Sequence, residues 1–229
     1  MTTVLLDLLF PPQCAFCGKL LERGGVCPEC EAALPFREPD RVLQTVGVKN
    51  YPCAVAMYYS RPASTGVKAL KFGRKSWRAK VFARYIAQAA AEELGGQFDA
   101  VTFVPVSRWR NFTRGFDQAR LLAEETAKIW GEEAVPTLRK IRNNRPQSSL
   151  TSPAARAKNV KDVYAVPRPE RVMNRRFLLI DDVCTTGSTM DSAADTLTAA
   201  GAERVVCAVL AGGHRKGTVR KKPSDCRKI

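Results

Sequence analysis

Two groups of residues in this 229-residue chain have the types and spacing to do chemistry. The first is Cys14-x2-Cys17-x9-Cys27-x2-Cys30, four cysteines within seventeen residues. In a reducing compartment, paired CxxC knuckles indicate a metal rather than disulfides. Each knuckle presents two thiolates on a tight turn, and two knuckles complete a tetrahedron. Four sulfurs at ~2.3 Å suit Zn²⁺ in a closed structural site, with no position left for water. Rubredoxin-type iron takes similar ligands, and spacing alone does not separate the two metals. A thioredoxin-like redox pair is a third reading, but neither CxxC is expected to open a helix after a strand. The remaining cysteines stand singly, and Cys53 and Cys207 lie in apolar, strand-like runs where a thiol acts as a small hydrophobe.

The second group runs from Phe177 to Thr189. An apolar strand ends in Asp181 and Asp182, Val183 and Cys184 follow, and Thr185, Thr186, Gly187, Ser188 and Thr189 open a helix. Backbone N–H groups at such a helix start, together with the hydroxyls, make a cradle for a phosphate. Gly187 lets the backbone approach the anion closely. Carboxylates at a strand's carboxyl end can accept hydrogen bonds from vicinal sugar hydroxyls or support a metal. Phosphate beside a diol describes a ribose 5-phosphate. An ordinary strand–turn–helix with capping hydroxyls has no use for two adjacent acids leaving a buried strand.

Charge points to anionic partners. Lys and Arg number 37 against 22 Asp and Glu, a net charge of +15 and an isoelectric point near 9.8. Such a surface attracts polyanions without choosing among them. The single histidine, His214, excludes catalysis or metal binding by several histidines. Three stretches concentrate the charge. Residues 61–91 hold Arg61, Lys68, Lys71, Arg74, Lys75, Arg78, Lys80 and Arg84 without an acid. Residues 139–161 hold Arg139, Lys140, Arg142, Arg145, Arg156, Lys158 and Lys161, again without an acid, and the tail from Gly212 is also strongly basic. Trp77, Trp109 and Phe112 stand beside such residues, a composition that suits stacking of unpaired bases. Lys68, Lys71, Arg74, Lys75, Arg142 and Arg145 are the expected nucleic-acid contacts.

These residues need elements to hold them. Residues 53–60, 99–106, 175–181 and 204–212 read as strands, with a shorter one at 135–139. Helices are expected over 64–94, over 118–130 and over 190–201, the last ending at Gly201. Strands alternating with helices of this length imply βαβ units and a parallel sheet covered on both faces. Residues 35–50 suit a linker, and MTTVLLDLLFPP reads as a short amphipathic helix stopped by Pro11 and Pro12 rather than a signal peptide. No apolar run reaches the ~18–20 residues that span a bilayer, so a cytoplasmic protein is expected. The chain divides at about residue 45 into a helix-plus-zinc module (1–45) and an α/β domain (46–229) with a flexible loop at 141–160 and a basic tail.

At this point the sequence resembles a known family. Ile180-Asp-Asp-Val-Cys-Thr-Thr-Gly-Ser-Thr189 is similar to the 5-phosphoribosyl-1-pyrophosphate (PRPP) signature of type I phosphoribosyltransferases. More narrowly, the chain resembles the ComF (ComFC) family of competence proteins. The likeness runs through LLDLLFPPQCAFC, CPEC, Leu70-Lys-Phe-Gly-Arg74, VPVSRWRNFTRGFDQARLLA (104–123) and the stretch from Arg142 to Val160. The resemblance implies a type I phosphoribosyltransferase-like sheet behind a zinc module, with Mg²⁺ arriving with PRPP. It implies that Asp181 and Asp182 hold the ribose hydroxyls and that the segment from Val183 to Thr189 holds the 5-phosphate. Ser107 and Arg108 fall where this fold places its pyrophosphate loop, and Asp181, Asp182 and Arg108 are the expected catalytic groups. The 141–160 loop would be the hood that closes over PRPP, its cations stabilising the charge that develops on pyrophosphate.

The chain also departs from part of that superfamily. Purine-salvage members carry an acid in the phosphate loop as base for the attacking nucleobase, and Thr185 stands there. That argues against a hypoxanthine- or guanine-type acceptor. Cys184, beside the acids, is open to reading as a redox switch or as an apolar loop position. Three functions remain: a competence factor that handles single-stranded DNA alongside other competence or DNA-processing proteins, an active phosphoribosyltransferase acting on a nitrogen nucleophile, and a PRPP sensor without turnover.

Overall fold

In a computed structural model, residues 11–36, 48, 51–72, 76–106, 115–142 and 163–213 are described. The four strands that form the centre are mostly apolar and buried. β1 (Cys53–Tyr58), β2 (Ala100–Phe103), β5 (Arg176–Cys184) and β6 (Arg204–Gly212) form one sheet in the order β1-β6-β5-β2, every neighbouring pair parallel. A sheet of this kind is covered on both faces, which is why its strands read as continuous hydrophobic runs. Alternation along β5 and β6 divides the core in two. Leu178, Ile180, Val206, Ala208 and Leu210 serve one side, and Phe177, Leu179, Val205, Cys207 and Val209 serve the other.

The first face is covered by α2 (Ala63–Phe72), α3 (Arg78–Leu94) and α4 (Gln118–Ile129), through Val67, Leu70, Phe82, Ile86, Leu122 and Ala123. The second is covered by α5 (Ser188–Ala199), through Met190, Ala193, Ala194 and Leu197. A two-residue antiparallel pair, β3 (Arg139–Lys140) with β4 (Tyr164–Ala165), lies on the α5 side, where Tyr164 joins the core.

The expected parallel α/β sheet is present, with differences of detail. The helix read over 64–94 is two helices, because α2 ends at Phe72 and residues 76–77 form a turn before Arg78. The strand expected at 135–139 reduces to an isolated bridge between Ala134 and Val101 and the short β3 beyond it. β5 runs three residues past Asp181, its ladder pairing Asp181 with Val209 and Cys184 with Gly212. The two acids therefore belong to the sheet rather than to a loop after it. The helix expected at the start of the chain and most of the 35–50 linker lie outside the described residues. No helix among the described residues is long and apolar enough to cross a membrane.

The cysteine module packs into the first core. Phe16 is fully buried with its ring 5.1 Å from Phe82 and 6.0 Å from Tyr85. Burying such a ring is worth about 2–3 kcal/mol, which makes Phe16 the anchor. The module also extends the sheet edge, since Tyr58 N–H donates to the Pro35 carbonyl at 2.8 Å and Phe36 bridges Met57.

Candidate PRPP site and zinc module

Asp181 and Asp182 stand at the carboxyl end of β5, where ligands bind in open α/β sheets. Adjacent strand residues face opposite sides, so Asp182 turns to the α2–α3–α4 side and is buried. There it meets a cation. Lys71 Nζ, on the last turn of α2, lies 2.9 Å from Asp182 Oδ2, the two side chains 26% and 9% exposed. Burial alone would lower the Lys71 pKa, but the charge and hydrogen bond of Asp182 outweigh it and raise it. Burial and the Asp182 charge push Asp181 well above the usual carboxylate range, with Lys71 opposing them. The Asp182 N–H donates to Asp181 Oδ1 at 2.8 Å.

A third acid joins them. Asp117 caps α4, accepting the Arg120 N–H at 3.2 Å through Oδ1. Its Oδ2 accepts the Val106 N–H at 2.9 Å, so one carboxylate ties the turn after β2 to the start of α4. Burial raises its pKa, backbone hydrogen bonds oppose the rise, and the Asp182 charge adds to it. Sequence reasoning passed over Asp117. The signal was present as an Asp directly before a helical run, the commonest N-cap pattern.

Past β5 the chain bends through Thr185 and Thr186, both exposed, to Gly187. Gly187 has φ +76, in the left-handed region, and caps α5 without a side-chain hydrogen bond. Gly187 has no side chain with which to cap the first-turn amides of α5, and a helix start of this kind offers donors to an anion. Thr186 Oγ1 and Ser188 Oγ sit 3.3 Å apart beside them. The structure therefore brings Asp181, Asp182 and the Val183–Thr189 segment together. Cys184 points into the second core, and burial pushes its thiol up to about 12, far from the thiolate that a redox switch needs.

Ser107, Arg108, Arg74, Lys75, Arg145, Trp109 and Phe112 lie outside the described residues, as does most of the 141–160 loop. Lys68 and Arg142 are exposed and Trp77 is 40% exposed. Lys71, expected on a nucleic-acid surface, is instead placed against Asp182. Its signal was the position of a cation at the end of an apolar helix, which charge counting did not distinguish from its neighbours.

The four module cysteines converge. Their sulfurs all lie within 4.8 Å of one another, and Cys17 Sγ is 3.7 Å from Cys27 Sγ. A tetrahedron with ~2.3 Å metal–sulfur bonds has edges of about 3.8 Å, so the thiols fit zinc. Amide-to-sulfur hydrogen bonds fix the turns: Lys19 N–H to Cys17, Cys27 N–H to Cys14 and Cys30 N–H to Cys27, each at 3.4 Å. Gly18, at φ +82, closes the first knuckle by donating to the Cys14 carbonyl at 3.0 Å. Burial would raise the Cys14 thiol, but amide hydrogen bonds from Cys27, Cys17 and Phe16 hold it down at about 6, whereas burial pushes the Cys27 and Cys30 thiols up. The second CxxC does open a helix, since Cys27 caps the six-residue α1 (Pro28–Ala33). Among the described residues no strand precedes it, and its thiols cluster with those of Cys14 and Cys17, unlike an isolated redox pair.

The phosphoribosyl transferase domain family model matches residues 82–229, and the double zinc ribbon domain model matches residues 5–41. The chain belongs to the phosphoribosyl transferase domain family. It is 32% identical over 203 residues to the DNA utilization protein YhgH of Salmonella typhimurium, covering 84% of this chain and 86% of that protein. Its Escherichia coli K12 counterpart is 28% identical over 225 residues, covering 86% and 96% respectively. The competence protein F of Haemophilus influenzae is 26% identical over 207 residues, covering 84% and 86%. These relatives carry the ComF resemblance along most of the chain. A solved glutamine PRPP amidotransferase from B. subtilis shares 24% identity at a TM-score of 0.38, and the chain spans 29% of its length.

Proposed function

We propose that this phosphoribosyl transferase-domain protein binds PRPP at the Asp181–Thr189 segment and serves DNA uptake or use, as the names of its relatives imply. The observation that carries PRPP binding is the direct run from an acid pair near the end of β5, Asp181 half-buried and Asp182 buried, into a helix start whose cap residue is Gly187. The acids suit the ribose hydroxyls, and the α5 amides with Thr185, Thr186, Ser188 and Thr189 suit the 5-phosphate. Val183 and Cys184 join the two halves through backbone. Mg²⁺ would arrive with the pyrophosphate, and Ser107 and Arg108 would flank that group. Asp117 holds the turn leading to them.

Cys14, Cys17, Cys27 and Cys30 would hold one structural Zn²⁺, and the chain would act in the cytoplasm on single-stranded DNA. Turnover to a nitrogen nucleophile is the second reading, favoured by the intact loop and opposed by Thr185 at the place of the purine-type base.

Calorimetric titration with PRPP·Mg²⁺ tests the proposal. Binding near one equivalent is expected, lost in Asp181→Ala/Asp182→Ala and weakened at least tenfold in Gly187→Val, whose side chain is strained at positive φ. Heat indistinguishable from dilution in the folded protein would remove the PRPP reading.

A further inference from the structure

Helix α3 begins with Arg78, at the end where the helix dipole disfavours a cation. No acid stands in its first turn. The side chain is nonetheless only 2% exposed. Among the described residues, none of the ion pairs includes it: the carboxylates of Glu29, Glu124, Glu125, Asp99 and Asp182 are all paired elsewhere. On one side its guanidinium lies over the Trp77 ring, 5.1 Å from the centroid, and on the other it meets the first zinc knuckle. Its Nη1 donates to the Ala15 carbonyl, between two of the cysteines. Its Nη2 would lie 3.7 Å from a Cβ added at Gly18, the residue after Cys17. Its Nε has no hydrogen-bond partner. The negative charges it senses are those of Cys14 and Cys17, against a burial that lowers its pKa.

A guanidinium this buried, with no carboxylate paired to it among the described residues, is unfavourable unless another charge offsets it. Four thiolates on one divalent ion leave two net negative charges, in a partly buried site whose other nearby cation, Lys19, is exposed and paired with Glu29. We infer that Arg78 is the counter-charge of the cysteine-ligated metal, neutralising part of its excess negative charge and pinning the loaded module to the start of α3. Phe16 and Phe82 supply the apolar contact, and Arg78 makes the docking depend on the metal. Outer-sphere partners of this kind are typically worth 10–100-fold in metal affinity. The inference rests on metal occupancy of the four cysteines.

Two substitutions separate charge from hydrogen bonding. Arg78→Gln keeps an amide to donate to Ala15 but removes the charge, whereas Arg78→Lys keeps the charge. Zinc affinity of the full chain is read by competition with a chromophoric chelator, and thermal unfolding is followed with and without zinc. R78Q is expected to bind zinc at least tenfold more weakly, with R78K within a few-fold of the parent protein. Without metal, R78Q should be at least as stable as the parent, because a buried unpaired charge has gone. With zinc it should be the less stable of the two. Equal losses with and without metal, or an R78Q affinity within threefold of the parent, would overturn the inference and leave Arg78 a packing residue. Should R78Q not fold even with zinc, R78K decides: a tenfold loss there overturns it. A parent protein that takes up no zinc at all defeats the metal reading itself, a result distinguishable from any of these.

Discussion

Lys71, from the end of α2, and Asp182, from β5, form an ion pair of 2.9 Å at the point where sheet, helix and phosphate loop meet. The pair sets a cation against a buried carboxylate beside the proposed anion site. In the proposed complex the ribose would take hydrogen-bonding capacity from Asp182 and bring negative charge within reach of Lys71. Lys71→Met should therefore weaken PRPP·Mg²⁺ binding by tenfold or more. It should also destabilise the fold by about 2 kcal/mol, less than the ~3–5 for breaking a fully buried pair because Lys71 is 26% exposed. Denaturant unfolding of Lys71→Met, Asp182→Asn and the double variant tests the coupling. If the double variant loses the full sum of the single losses, the two residues do not act as a pair.

Asp181 carries the opposite energetics. Its folded pKa lies above its unfolded one, through burial and the charge of Asp182. The folded chain therefore retains a proton that the unfolded chain gives up, and stability falls as pH rises from about 4 through the raised value. Asp181→Asn removes this fall. The variant is expected to be the more stable protein near neutral pH, by ~0.5–2 kcal/mol, with the advantage shrinking as pH is lowered. PRPP binding should be lost at the same time. Melting temperatures taken across this range check the sign, and an advantage that does not vary with pH would refute it.

The parallel sheet was readable because its strands are buried on both faces, so apolar runs such as Phe177–Ile180 survive in any register. The cysteine cluster and the run from the acid pair into a helix start were readable because each is contiguous in sequence. What escaped depends on contacts between distant segments. Lys71 and Arg78 have the same composition signal as Lys68, yet one pairs with Asp182 and the other with the Cys14 knuckle. Counting charge along residues 61–91 treated all eight cations as surface. Among the described ones, Arg78 is buried and Lys71 half-buried, and only tertiary structure distinguishes them from the rest. The break between α2 and α3 was missed for a related reason, since apolar positions on both sides keep helical spacing across it.

Gly66 offers a test of how tightly the module seats. It lies inside α2, where Ala is normally better than Gly by up to ~1 kcal/mol. Here a Cβ would stand 2.9 Å from Phe16 Cδ1 and 2.9 Å from Phe82 Cζ, with the Ala15 carbonyl oxygen at 3.3 Å. Two buried rings and a backbone oxygen cannot all yield, so overpacking wins over helix propensity. Gly66→Ala should cost about 1–3 kcal/mol. It should also speed zinc loss to a chelator, because the knuckle carrying Phe16 is displaced. A more stable Gly66→Ala protein would mean that the module is not seated against α2.

The proposed single-stranded DNA binding would depend on charge left over once Lys71 and Arg78 are assigned inward. Lys68 and Arg142 are exposed, Trp77 is 40% exposed, and Arg74, Lys75 and Arg145 are near them in sequence. Binding of this kind is dominated by phosphate contacts, so log affinity should fall linearly with log salt, by roughly 0.7 per phosphate neutralised on a single strand. Lys68→Glu/Arg74→Glu and Arg142→Glu/Arg145→Glu should each lower the affinity and flatten the slope. Trp77→Ala should lower affinity with little change of slope, since stacking of a base releases no counterion. Asp181→Ala should spare oligonucleotide binding while abolishing that of PRPP, as the two ligands use different groups. Fluorescence anisotropy with a labelled oligonucleotide at several salt concentrations reads all of these. Absence of binding at about 50 mM salt, where several phosphate contacts would favour it by orders of magnitude, would rule out direct DNA contact and reassign the basic surface to a protein partner.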